Sequence, residues 1–116
     1  MGKEMNYTFH HDDGHGWLEV PYQDMLNLGV TLEDVSRFSY ATIVNYRPTV
    51  FLEEDIDVAV FMLAAKRAGK SIEFKHVSEP GGSEIRTYPH NSKGKRFDDA
   101  ELRMLFQACE IEGVFA

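Results

Sequence analysis

The chain has 116 residues, 43% hydrophobic and 27% charged. That is the size of one domain, with enough apolar residues to bury a core without disulfide or metal staples, and it excludes collagen-like, low-complexity and wholly disordered classes. The net charge of −7 is uneven: residues 1–64 carry eleven acids and three Lys/Arg, and residues 65–116 carry eight acids and nine Lys/Arg.

In chain order, Tyr7, Phe9 and His11 alternate with Thr8 and His10, which predicts a short strand. Asp12-Asp13-Gly14 reads as a turn, because Asp and Gly tolerate left-handed backbone. Gly16 to Val20 is the second strand of an antiparallel hairpin. Pro21 suits the first position of a helix whose apolar residues are Met25, Leu26 and Leu28, with Gly29 as its stop. Thr31 and Asp34 form an approximate capping box for a helical turn over Leu32 to Arg37. Tyr40 to Val44 is rich in β-branched residues. Asn45 to Thr49, with Pro48, reads as a turn before a short strand Val50-Phe51-Leu52.

The best-signalled helix is Glu53 to Ala68. Acids stand at its start, Lys66 and Arg67 at its end, and Gly69 after it. Val58 to Ala65 is apolar on every face, so this helix is expected at the centre of the core, with Ile56, Val60 and Leu63 as one stripe that Phe61 and Met62 extend. Ser71 to Val77 alternates as a strand. Glu79 to Ser83 is a loop, and Ile85 to Tyr88 is expected as a returning strand. Pro89 to Arg96 is polar and expected to be mobile. The last helix runs from Phe97 to Cys109, with Asp98 as N-cap, Glu101 at N3 and Phe97 stapled to Leu102. No internal repeat is visible. The fold class expected is α+β, one domain over 1–116: a small antiparallel sheet on a central apolar helix, with a C-terminal helix.

Several groups bear on chemistry. His10-His11-Asp12-Asp13-Gly14-His15 gathers three imidazoles and two carboxylates, the usual ligands of divalent metals. A polar hairpin tip explains the same residues more simply, and no cysteine pair or metal-binding helix signature supports a metal. Glu53-Glu54-Asp55 with Asp57 is an acidic cluster that local helix-start electrostatics largely accounts for. Asp57 stands apart: it abuts the apolar run and needs a partner if buried, and Arg37 and Arg47 are the nearest cations in sequence. Leu26 to Arg37 has a superficial helix-turn-helix pattern. Its first helix is too short and its acids repel phosphate, so nucleic-acid binding is not expected. Arg86, Tyr88, His90, Lys93, Lys95 and Arg96 form a basic stretch that either meets a partner or balances the acidic half. Cys109, the sole cysteine, lies on an apolar stripe and reads as a structural thiol in a reducing, cytoplasmic setting. No apolar signal segment follows Met1, and no run is long enough to span a membrane.

Three strings taken together, Gly14-His15-Gly16-Trp17-Leu18-Glu19-Val20, Ser36-Arg37-Phe38-Ser39-Tyr40 and Phe51-Leu52-Glu53-Glu54-Asp55, resemble those of a group of small, uncharacterised bacteriophage and bacterial proteins. The resemblance spans about residues 7 to 90. It implies a mobile-element context and an intracellular location, and no reaction. Position 56 is often Cys in that group and is Ile56 here, which argues against thiol chemistry in this chain.

These readings favour a non-enzymatic binding module without a cofactor. It would act on a protein partner through its acidic half, in one form by mimicking nucleic-acid charge, and it is compatible with a homodimer. The alternative is a metal-dependent enzyme using His11, His15 and the Glu53–Asp57 cluster. The candidate residues are His11, Asp12, His15, Trp17, Glu53, Glu54, Asp55 and Asp57, with Arg86 and Tyr88 as partner contacts. What separates the two is whether the histidine segment and the acidic cluster converge.

Overall fold

The computed structural model describes residues 4–91 and 99–115. Among them a mixed sheet of five strands runs in the order β3-β4-β2-β1-β5. The strands are β1 (Glu4–His11), β2 (Gly16–Pro21), β3 (Tyr40–Val44), β4 (Arg47–Glu53) and β5 (Ser71–Ser78). Three helices, α1 (Tyr22–Asn27), α2 (Asp57–Arg67) and α3 (Ala100–Phe115), accompany it. The class is α+β with a C-terminal helix.

The hairpin of β1 and β2 forms in the register Phe9↔Leu18 and His11↔Gly16. The sheet is not wholly antiparallel, because β5 lies parallel to β1. The chain leaves β4, crosses through α2 and returns as β5 on the far side of β2 and β1. Strands β1, β4 and β5 therefore point the same way, and the loops that follow them gather at one end of the sheet.

Alternation divides the residues between two faces. Tyr7, Phe9, Leu18, Val20, Ala41, Val50 and Leu52 face the helices, where Tyr22, Met25, Val58, Phe61, Leu102 and Phe106 complete the main core. On the opposite face Trp17, Phe51 and Ile85 form a smaller cluster with Tyr40, Val44 and Tyr88 around it. The Tyr22 hydroxyl ties the first core together: it donates to Glu110 Oε1 at 2.8 Å and accepts from the Leu32 amide at 3.1 Å.

Several elements depart from the sequence expectation. The turn expected over Asn45 to Thr49 shrinks to Asn45 and Tyr46, both with positive φ, as a tight hairpin requires. Pro48 sits inside β4 because β2 ends opposite Thr49, so no neighbour there needs its missing N–H. Helix α2 starts at Asp57, not Glu53. Glu53 continues β4 opposite Trp17, and its carboxylate accepts from the amides of Asp55, Ile56 and Asp57 at 3.0, 2.8 and 3.4 Å.

Nor is α2 buried all round. Val58, Phe61 and Ala65 face the core, while Ile56 and Leu63 are exposed at 58% and 49%, and Met62 is also exposed. The helix lies on one face of a sheet, so only one stripe is covered, whatever the composition of the others. Ile85 to Tyr88 is not a strand: Ile85 to Thr87 belong to a 3-10 turn, Glu84–Thr87, capped at its start by the Ser83 side chain and followed by Tyr88. Leu32–Asp34 is likewise a short 3-10 turn with the Thr31–Asp34 capping box intact. A recognition helix over Leu32 to Arg37 is therefore absent, and Val35 is buried in the core.

Asn91 is buried, donating to the carbonyls of Leu32 and Val35, so the polar segment is anchored at its start. Lys93, Lys95, Arg96, Phe97 and Asp98 lie outside the described residues. Asp99 caps α3 by accepting from the Leu102 amide at 2.9 Å, and the helix continues past Cys109. Leu102, Phe106 and Cys109 form its inner stripe, with Leu105 turned outward. Cys109 is partly buried, its Sγ 3.6 Å from Gln23 Oε1. No described helix is long and apolar enough to cross a membrane.

Candidate functional site

The loops that follow the parallel strands frame a cleft of about 290 Å³. Its lining comes from three separate stretches: His15, Gly16 and Trp17; Phe38 and Tyr40; and Glu53, Glu54, Asp55 and Ile56, with Arg86 beside them. These are the three strings that stand out in the sequence, brought together by folding.

The first stretch is shaped by Asp12. Its carboxylate accepts from the Gly14 and His15 amides of the turn at 3.0 and 2.9 Å. It also accepts from the Ser83 amide at 3.1 Å and takes both Nε and Nη2 of Arg86, at 2.5 and 2.9 Å. The Arg86 fork, with the backbone amides, holds this carboxyl well below the usual range. Asp13 accepts from the Gly81 amide. Thus the hairpin tip grips the loop after β5. Arg86, held this way, lies 5.3 Å from the centre of the Trp17 ring.

Gly16 is required by close approach. A Cβ there would lie 2.5 Å from Phe9 Cε1 and 3.0 Å from Glu54 Oε2.

The second and third stretches are fixed through Asp57. This side chain is 1% exposed, yet among the described residues no cation meets it, and neither Arg37 nor Arg47 takes the role expected of it. It accepts instead from the Ser36 amide and hydroxyl, the latter at 2.7 Å, and from the Ser39 hydroxyl at 2.5 Å. Ser39 Oγ in turn accepts from the Glu53 amide at 2.9 Å. Ser36 and Ser39 thus serve Asp57, while Phe38 and Tyr40 reach the cleft. Phe38 is 56% exposed, with the Arg37 guanidinium over its ring.

The histidines divide. His15 lines the cleft with its ring 6.2 Å from that of Trp17. His11 turns to the helix-facing side, where its Nε2 meets His76 Nδ1 at 2.8 Å. His10 lies on the other face between two carboxylates, Nε2 to Glu19 at 2.8 Å and Nδ1 to Glu79 at 2.9 Å. The bond to Glu19 leads in raising its pKa, with Glu79 adding to it. Among the described residues no three His, Cys, Asp or Glu side chains are grouped so as to hold a metal.

Of the residues singled out in the sequence, His15, Trp17, Glu53, Glu54, Asp55 and Arg86 therefore meet in the cleft, with Asp12 immediately behind Arg86. His11, Asp57 and Tyr88 do not line it. Tyr88 packs on Phe51 at 5.4 Å, where burial pushes its phenol up. Phe38, Tyr40 and Ile56 are lining residues that the candidate set lacks. Their signal was present in an apolar residue next to Arg37 and in the departure at Ile56, but neither is polar enough to suggest chemistry by itself.

Charge in the cleft is unevenly satisfied. Glu53 is occupied by backbone amides and Arg86 by Asp12. Glu54 and Asp55 are exposed and have no charge partner among the described residues. The result is an aromatic and apolar wall beside two unneutralised carboxylates. Compared with protein-family models, curated proteins and solved structures, the chain matches none.

Proposed function

We propose that the protein is a non-enzymatic binding module whose cleft receives a cationic side chain, flanked by apolar residues, from a protein partner. The observation that carries this is the pairing of Glu54 and Asp55 with the rings of Phe38, Tyr40 and Trp17 in one cleft. Carboxylates attract a guanidinium or ammonium group, and aromatic faces stabilise it further. Exposed Phe38 and Ile56 supply apolar contact on either side, as an interface centre requires.

The charge-mimic form of this reading has less support. Asp12, Asp13, Glu19, Asp24, Asp34, Glu53 and Asp57 all have local partners. Each is committed to a bond within the fold, which local structure explains without a partner. The metal-enzyme alternative draws on the shared cleft of His15 and the acids. It loses His11 to His76 and Asp57 to the serines.

Trp17 is the single tryptophan and reports on the cleft. The capped peptide acetyl-Leu-Arg-Phe-amide should change its emission saturably, and more weakly as salt rises. The Glu54→Gln/Asp55→Asn variant should lose the response. Equal responses to acetyl-Leu-Glu-Phe-amide and to the arginine peptide would refute the reading.

A further inference from the structure

The two outer strands of the sheet are treated differently. Strand β3 is closed by the chain itself: Tyr40 bridges to His90, and the Ala41 amide donates to the Pro89 carbonyl at 2.9 Å. Strand β5 pairs with β1 alone, and among the described residues nothing hydrogen-bonds to its outer side. It is eight residues long, with neither proline nor glycine. Such an edge is a template for another strand unless it is blocked.

Lysine is a common blocking residue at edges. Here Lys75 is matched by Glu73 two positions earlier, on the same face, and both are exposed. Two copies of β5 laid antiparallel about Phe74 put Glu73 of each copy opposite Lys75 of the other. Ile72 then meets His76. Moving the axis to Glu73 or to Lys75 sets like charges opposite each other, and moving it between Phe74 and Lys75 leaves Lys75 facing the Phe74 ring position. A parallel in-register pair stacks glutamate on glutamate. One register therefore satisfies both charges twice, and cross-strand pairs of this kind set strand partners.

We infer that a second copy of this chain occupies the edge, joining β5 to β5 antiparallel about Phe74 and continuing the sheet across both protomers. The bonds are mainly main-chain, and side-chain charge sets the register. The cleft is framed elsewhere and remains open in each protomer.

Sedimentation equilibrium of the full chain tests this, read up to about 0.5 mM because a strand-edge contact is small. The wild type should fit a monomer–dimer equilibrium. Glu73→Lys and Lys75→Glu should each weaken association about tenfold, since each places like charges opposite one another twice. An equimolar mixture of the two variants should associate again, because an all-lysine strand then faces an all-glutamate one. The double variant with the charges exchanged should also dimerise. Both positions are exposed, so circular dichroism of the variants should match the wild type. A monomer at every concentration would overturn the inference. So would single variants that associate like the wild type, or a mixture that fails to recover.

Discussion

Individual side chains in this protein act through saturation of their bonding capacity. Asp57 carries the most: buried, it holds two serines and a backbone amide, and through Ser39 it fixes Glu53. Asp57→Ala would leave those donors unsatisfied in the interior and should cost about 2–4 kcal/mol, read from urea unfolding midpoints. His10 gives a pH signature. Its folded pKa is raised by Glu19 and Glu79 above the ordinary 6.5. The stability it contributes is full below that ordinary value and is lost as pH rises through the raised one. The side chain is partly exposed, so screening limits the effect to about 1 kcal/mol. His10→Gln should therefore be less stable than wild type near pH 6, with the gap closing at alkaline pH. A gap that widens with pH would show that the imidazole is neutral in the fold.

At the scale of elements, burial follows which face meets the sheet. Phe61 is fully buried and Leu63 is 49% exposed, although both lie in one apolar run. Phe61→Ala should cost about 3–5 kcal/mol. Leu63→Lys should stay within about 0.5 kcal/mol of wild type; thermal unfolding of both separates these outcomes. The sequence carries the hairpin, the capping box at Thr31 and the strand Ser71 to Val77 openly, because alternation and cap chemistry are local. The start of α2 is hidden for a definite reason. Glu53 is a favourable helix-start residue by composition, but pairing with Trp17 keeps it in β4, and only the three-dimensional sheet contains that information. Ile85 to Tyr88 is hidden in the same way: Ser83 caps a 3-10 turn, and Ile85 buries against Trp17 and Phe51 across the sheet. Candidate residues were legible as types, but their convergence depended on the crossover through α2.

For the whole molecule, the hairpin tip and the loop after β5 form one unit around Asp12. The tie is fully present above the ordinary carboxyl pKa near 3.8 and is lost only as pH falls further, since the Arg86 bond depresses the folded value. Asp12→Asn weakens it at neutral pH, and amide exchange at Gly14, His15 and Ser83 should accelerate there, while core strand amides such as Val20 keep their protection. Uniform acceleration would mean that Asp12 supports global stability and not this corner alone. The acidic first half of the chain takes on a different meaning in this light. Seven of its eleven carboxylates cap, clamp or pair within the fold, while Glu54 and Asp55 are exposed and line the aromatic cleft.

Backbone and indole chemical-shift mapping during titration with acetyl-Leu-Arg-Phe-amide tests the role of this cleft most directly. The proposed role requires the largest shifts at the Trp17 indole and at the amides of His15, Phe38, Tyr40, Glu54 and Asp55, and their loss when Glu54 and Asp55 are neutralised. Shifts centred away from the cleft, or identical shifts in the neutralised variant, would contradict it.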